Sequence, residues 1–105
     1  MDNYFKVTGE VVKVTDFYSN GGNVKVKSIV KELHNDASVE LSIFMYDDTW
    51  KDFISQYTGY GDYTFEGQFK IRVHYTKEAK NRKENLMLVA DKYTRVYKPN
   101  CKRFA

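Results

Sequence analysis

The spacing of apolar residues in this chain changes period once and then changes back, and that pattern constrains the fold more than any other feature. Over residues 5–17, Phe5, Val7 and Val11 take one face, and Lys6, Thr8 and Glu10 take the other. Alternation of this kind is the signature of a half-buried strand. Gly9 interrupts it, and the phase blurs at Val11, Val12 and Val14. A glycine inside a long strand marks a bulge or bend, so 5–17 reads as one long bent strand. Ser19-Asn20-Gly21-Gly22 reads as a turn whose glycines supply positive φ.

A second strand is expected over 24–33, with Val24, Val26 and Val30 set against Lys25, Lys27 and Lys31. His34-Asn35-Asp36 makes the next turn. A third strand is expected over 38–46, with Val39, Leu41, Ile43 and Met45 on one face and Glu40, Ser42, Phe44 and Tyr46 on the other. Then the period becomes helical. Trp50, Phe53, Ile54 and Tyr57 recur at i, i+3, i+4 and i+7, one buried stripe of a short helix. Asp48 or Thr49 fits its N-cap, and Gly59 its stop. Alternation returns over 63–75, where Phe65, Phe69, Ile71 and Val73 oppose Lys70, Arg72 and His74. Residues 76–85 are polar and charged, the tip of a long hairpin, and 86–97 form the last strand through Leu86, Leu88 and Ala90.

The order is β-β-β-α-β-β. An all-β chain with one short helix between strands three and four has the arrangement of a five-stranded OB-fold barrel. At 105 residues the chain accommodates one domain, expected over 1–97, with a short basic tail over 98–105.

Composition narrows the function. Cys101 is the only cysteine, and with the distant His34 and His74 it makes no metal set, so a disulfide-free, metal-free protein is expected. No apolar run nears a membrane span and no secretory leader is legible, which points to the cytoplasm. No phosphate-cradling glycine loop or nucleophile motif occurs, and Asp47 and Asp48 diverge on neighbouring positions, so neither a cofactor nor catalysis is expected. Charge is split along the chain. Residues 1–67 carry 6 Lys/Arg against 11 Asp/Glu, and residues 68–105 carry 11 against 3. A net −5 followed by a net +8 suggests a region that faces a polyanion.

Four stretches resemble bacterial single-stranded-DNA-binding proteins of the SSB type. They are Asn20-Gly21-Gly22-Asn23-Val24, Ile43-Phe44-Met45-Tyr46 with the helix after it, Gly61-Asp62-Tyr63-Thr64-Phe65-Glu66-Gly67-Gln68-Phe69-Lys70-Ile71-Arg72, and Leu88-Val89-Ala90-Asp91. The short chain also resembles primosomal proteins of the PriB type and the single-stranded-DNA-binding proteins of phages or plasmids. The resemblance implies single-stranded DNA as partner, a role in replication or recombination, and a homodimer or homotetramer. It also implies stacking aromatics at Tyr46 and at His74 or Tyr75. The acidic, Phe-tipped segment of that family has no counterpart in the basic Asn100-Cys-Lys-Arg-Phe-Ala, so recruitment through such a tail is not expected.

Single strands expose base faces and phosphates, which call for aromatic platforms and cations along one groove. Candidate platforms are Tyr18, Phe44, Tyr46 and Tyr75; Phe44 equally suits packing under a loop or in a subunit interface. Candidate phosphate contacts are Lys25, Lys27, Lys31, Lys70, Arg72, Lys77, Lys80, Arg82 and Lys83, with His74 able to stack or donate. The cations of 70–83 also fit a solvated hairpin protected from edge pairing. Two rival readings are a PriB-like adaptor for replication proteins and an RNA-binding OB domain.

Overall fold

The alternating stretches become five strands and the helical stripe becomes one helix. The computed structural model describes residues 3–17, 20–75 and 82–96. In chain order the elements are β1 (Tyr4–Phe17), β2 (Gly21–Lys31), β3 (Asp36–Tyr46), α1 (Asp47–Gln56), β4 (Asp62–Tyr75) and β5 (Arg82–Arg95). The strands close into a barrel in the order β1-β2-β3-β5-β4. This is the expected all-β, β-β-β-α-β-β OB-fold.

β1 serves both halves of the barrel. Tyr4–Glu10 pairs antiparallel with β4, and Glu10–Phe17 pairs antiparallel with β2. The changeover falls at Glu10, next to Gly9, where a Cβ would lie 2.4 Å from the Lys27 carbonyl oxygen, so the close crossing of β2 demands a bare backbone. The bulge itself lies later, between Val11 and Lys13. It inserts one residue, which is why Val11 and Val14 both turn inward while Val12 is exposed. The blurred phase of the sequence is that bulge.

Two glycines expected in the turn before β2, Gly21 and Gly22, belong to the strand, and positive φ falls on Asn20 instead. Their bareness has a packing cause. A Cβ on Gly22 would come within 2.2 Å of the Trp50 ring and 2.5 Å of the Thr15 carbonyl oxygen. β3 begins two residues earlier than its alternation indicates, and β5 absorbs Arg82–Asn85 from the expected tip. Val30, assigned to the core face of β2, is exposed, because β2 beyond Lys27 has left β1 and pairs with β3 alone. Ser28 is buried there instead, and its hydroxyl donates to the Thr8 carbonyl at 2.7 Å.

α1 plugs one end of the barrel. Phe53 is fully buried and touches the rings of Trp50, Tyr57, Tyr63, Phe65 and Tyr93 at centroid distances of 5.3 to 6.1 Å. The Trp50 indole N–H donates to Asp16 Oδ1 at 2.9 Å and ties the helix to β1. Three corrections apply to the helix. It starts at Asp47, with Tyr46 at the cap position and no side-chain cap bond. It ends at Gln56, ahead of Gly59. Ile54 is 42% exposed, because a helix of this length rests on the barrel rim through positions 50, 53 and 57 only.

Adding a methyl at Gly22 forces Trp50 off β2. Gly22→Ala is expected to cost about 1–3 kcal/mol, the usual range for overpacking a filled core, read from urea unfolding. A variant as stable as the parent would show that Trp50 has another seat.

Tyr93 offers a second test. Its hydroxyl donates to Asp52 Oδ2 at 2.5 Å. Burial, that bond and the Asp52 charge together raise its pKa above the ordinary phenol value. The folded value exceeds the unfolded one, so this stabilisation is complete below about pH 10 and is lost as the pH rises further. The melting temperature of the parent should therefore fall more steeply than that of Tyr93→Phe above about pH 10. Parallel decline of the two proteins would assign the alkaline transition elsewhere.

Candidate nucleic-acid interface

Alternation along a strand sends every second side chain outward, and barrel closure decides which outward side chains become neighbours. β3 and β5 pair in parallel through only two positions, Ile43 with Leu88 and Phe44 with Val89. Ile43 faces the core, so Phe44 and Tyr46 take the outer face of β3. Ala90 faces the core, so Met87 and Val89 take the outer face of β5. Phe69 packs against the core, so Lys70 and Arg72 take the outer face of β4.

All of these outer residues except Phe44 border one groove of about 600 Å³, lined by Phe17, Tyr46, Lys70, Ile71, Arg72, Met87 and Val89. Phe17 and Tyr46 both pair with Gly21, one from each side. A Cβ on Gly21 would lie 2.6 Å from Tyr46 Cδ1, so the ring rests on bare backbone. Tyr46 keeps 36% of its surface exposed. Phe17 and Phe44 stand 6.2 Å apart with rings tilted by 40°. The groove thus has an aromatic wall at its β1–β3 end, an apolar floor on β5, and two cations on β4.

Of the residues singled out from the sequence, Tyr46, Lys70 and Arg72 come together here. Phe44 sits beside them, and it also borders an apolar slot of about 450 Å³ with Phe5, Leu41, Phe69, Leu86 and Leu88. The three lysines of β2 do not join them. The strand leads away from Gly21, so at about 3.3 Å per residue Lys25 lies roughly 13 Å along it, Lys27 roughly 20 Å and Lys31 roughly 33 Å. Lys25 stands opposite Lys13 and Ser42, and Lys27 stands opposite Glu10 and Glu40. Lys31 forms an ion pair with Asp36 at 3.0 Å near the hairpin tip. Tyr18, Lys77 and Lys80 lie outside the described residues. His74, Tyr75, Arg82 and Lys83 pair across the β4–β5 ribbon as His74 with Lys83 and Tyr75 with Arg82, and their side chains lie outside the described residues.

Sequence reasoning missed Phe17, Met87 and Val89. Met87 and Val89 were legible from alternation with Leu88 and Ala90, had outward apolar residues been weighed as a floor. Phe17 was not legible, because the bulge at Val11–Lys13 shifts its phase.

The sequence matches no family model and no curated protein. Solved structures do resemble the chain. The mitochondrial single-stranded DNA binding protein Rim1 of S. cerevisiae superposes with a TM-score of 0.63 at 14% identity, covering 91% of this chain and 97% of that one. The Plasmodium falciparum SSB, solved in complex with ssDNA, gives a TM-score of 0.67 at 12% identity over 92% and 97%. The small single-stranded DNA-binding protein of Streptomyces coelicolor gives 0.55 at 8% identity over 91% and 96%. At such identities the likeness speaks for architecture, and the chain shares the OB-fold barrel of these structures over about nine-tenths of its length.

Proposed function

We propose that this protein binds single-stranded DNA with little sequence preference, coating and protecting it during replication or recombination without turnover. The observation that carries the reading is the groove that sets Tyr46 and Phe17 beside Lys70 and Arg72. Bases stack on flat rings regardless of sequence, and each stack is worth about 1–3 kcal/mol. Lys70 and Arg72 fall on alternate positions of one strand and so track a phosphate chain. Met87 and Val89 add an apolar floor that accepts any base face. The shared architecture supports the reading, since the Plasmodium protein of this shape was solved with ssDNA.

The protein works in the cytoplasm as a homodimer or homotetramer in this reading. Among the described residues no helix is long and apolar enough to cross a membrane. Ahead of Leu88, toward Arg82, β5 pairs with β4 alone, leaving a two-stranded ribbon with Ile71 and Leu86 paired and exposed at 60% and 66%. Two-stranded ribbons are marginal alone and gain from a covering surface. Sedimentation equilibrium should report a species larger than one chain; a monomer at micromolar concentration would remove this element.

Anisotropy of labelled oligo-dT, oligo-U and duplex DNA tests the main proposal. Oligo-dT should bind more tightly than duplex, with affinity falling steeply as salt rises. Tyr46→Ala should weaken oligo-dT binding about tenfold or more, the loss of one stacked base. Lys70→Ala with Arg72→Ala should reduce the slope of log K against log salt by about 1.4, at ~0.7 per single-strand phosphate. Lys31→Ala, far along β2, should leave the slope alone. A Tyr46→Ala variant that binds as the parent does would move the site elsewhere on the barrel.

A further inference from the structure

At the aromatic end of the groove, two non-glycine residues with left-handed backbone face each other. Asn20 has φ +64° and Asp47 has φ +55°, a region that L-residues enter at a cost. They are joined twice. The Asp47 backbone N–H donates to the Asn20 carbonyl at 3.0 Å, and the Asn20 side-chain amide donates to Asp47 Oδ1 at 3.1 Å. Asn20 immediately precedes Gly21 and Asp47 immediately follows Tyr46, so the two bonds close around the Gly21–Tyr46 pair. At Asp47 the chain passes from extended backbone at Tyr46, with φ −134° and ψ 158°, into α1 within one residue.

Glycine would supply positive φ at both places without strain. The neighbouring Gly21 and Gly22 show that this stretch of chain uses glycine where bareness is needed. What glycine lacks is the side-chain bond, and Asn and Asp are the residues that tolerate this conformation while offering one. Asp47 also places a carboxylate beside a groove that would hold phosphates, where a negative charge opposes binding.

We propose that Asn20 and Asp47 are positioning residues that lock Tyr46 over Gly21 and so orient the ring on which a base stacks. The inference rests on the reading of the groove as a single-strand site. Through the lock, the hairpin end that carries Asn20 and the start of α1 both hold the same ring. Electrostatics alone and positioning make opposite forecasts for loss of the carboxylate, and this separates them.

The experiment is oligo-dT anisotropy on the full chain, with melting temperature recorded for each variant. Asp47→Gly keeps the backbone conformation and removes the side-chain bond; affinity should fall several-fold, less than in Tyr46→Ala because only part of one stacking contribution is lost, with the melting temperature held. Asp47→Asn keeps an oxygen acceptor for Asn20 and should restore parent affinity or exceed it, because the opposing charge is gone. In a Tyr46→Ala background, Asp47→Gly should cost nothing more, since the ring it orients is absent. If Asp47→Gly does not fold, Asn20→Gly carries the same comparison. Unchanged or increased affinity in Asp47→Gly, or losses that add to that of Tyr46→Ala, would overturn the lock. A parent protein that does not bind oligo-dT at all would instead overturn the function on which it rests.

Discussion

The barrel closes through two parallel residue pairs between β3 and β5, and everything that follows depends on that seam. The acidic first part of the chain contributes β1, β2 and β3, and the basic last part contributes most of β4 and all of β5. Without closure, Tyr46 on β3 and Arg72 on β4 would lie toward opposite edges of one open sheet in the order β3-β2-β1-β4-β5. With it, aromatic rings from one part and cations from the other border the same groove. Closure also removes the exposed strand edges that an open five-stranded sheet would present, at least within the barrel. The seam is short because β3 and β5 diverge beyond it, and the space between them is the apolar slot that Phe44 borders.

So short a seam needs support from inside. Phe53 provides it by packing against rings from α1, β4 and β5 at once. Trp50 extends the same plug toward β2, where Gly22 leaves room for its ring, and its bond to Asp16 fixes β1. The helix thereby touches every part of the barrel end that the seam has to hold in register. Tyr93 adds a polar tie from β5 back to Asp52. Aromatic packing does here what a larger core would do in a longer chain.

The groove is a by-product of that arrangement turned to use. Strands whose inner residues fill a core must point alternate residues outward, and the composition of those outward positions is free to serve recognition. On β4 they are Lys70 and Arg72, on β3 Tyr46, and on β5 Met87 and Val89. The lysines of β2 obey the same alternation, yet they run away from the groove, and Lys31 pairs locally with Asp36 at the surface. Outward direction is therefore necessary for membership of the site and does not suffice.

The alternation of apolar residues and the helical stripe at Trp50, Phe53 and Tyr57 determined five strands, one helix and their order, because side-chain periodicity is a local property of backbone geometry. That was enough to reach the barrel and to bring Tyr46, Lys70 and Arg72 forward as candidates. Other features were settled only in three dimensions. The bulge at Val11–Lys13 set the phase of Phe17, pairing with β1 and β3 made strand residues of Gly21 and Gly22 while Tyr46 and Trp50 left no room there for a Cβ, and the early parting of β2 from β1 exposed Val30. Each depends on which residues lie opposite one another across strands. Register is a relation between distant segments, settled by packing, and a single strand read along its own length carries no record of it.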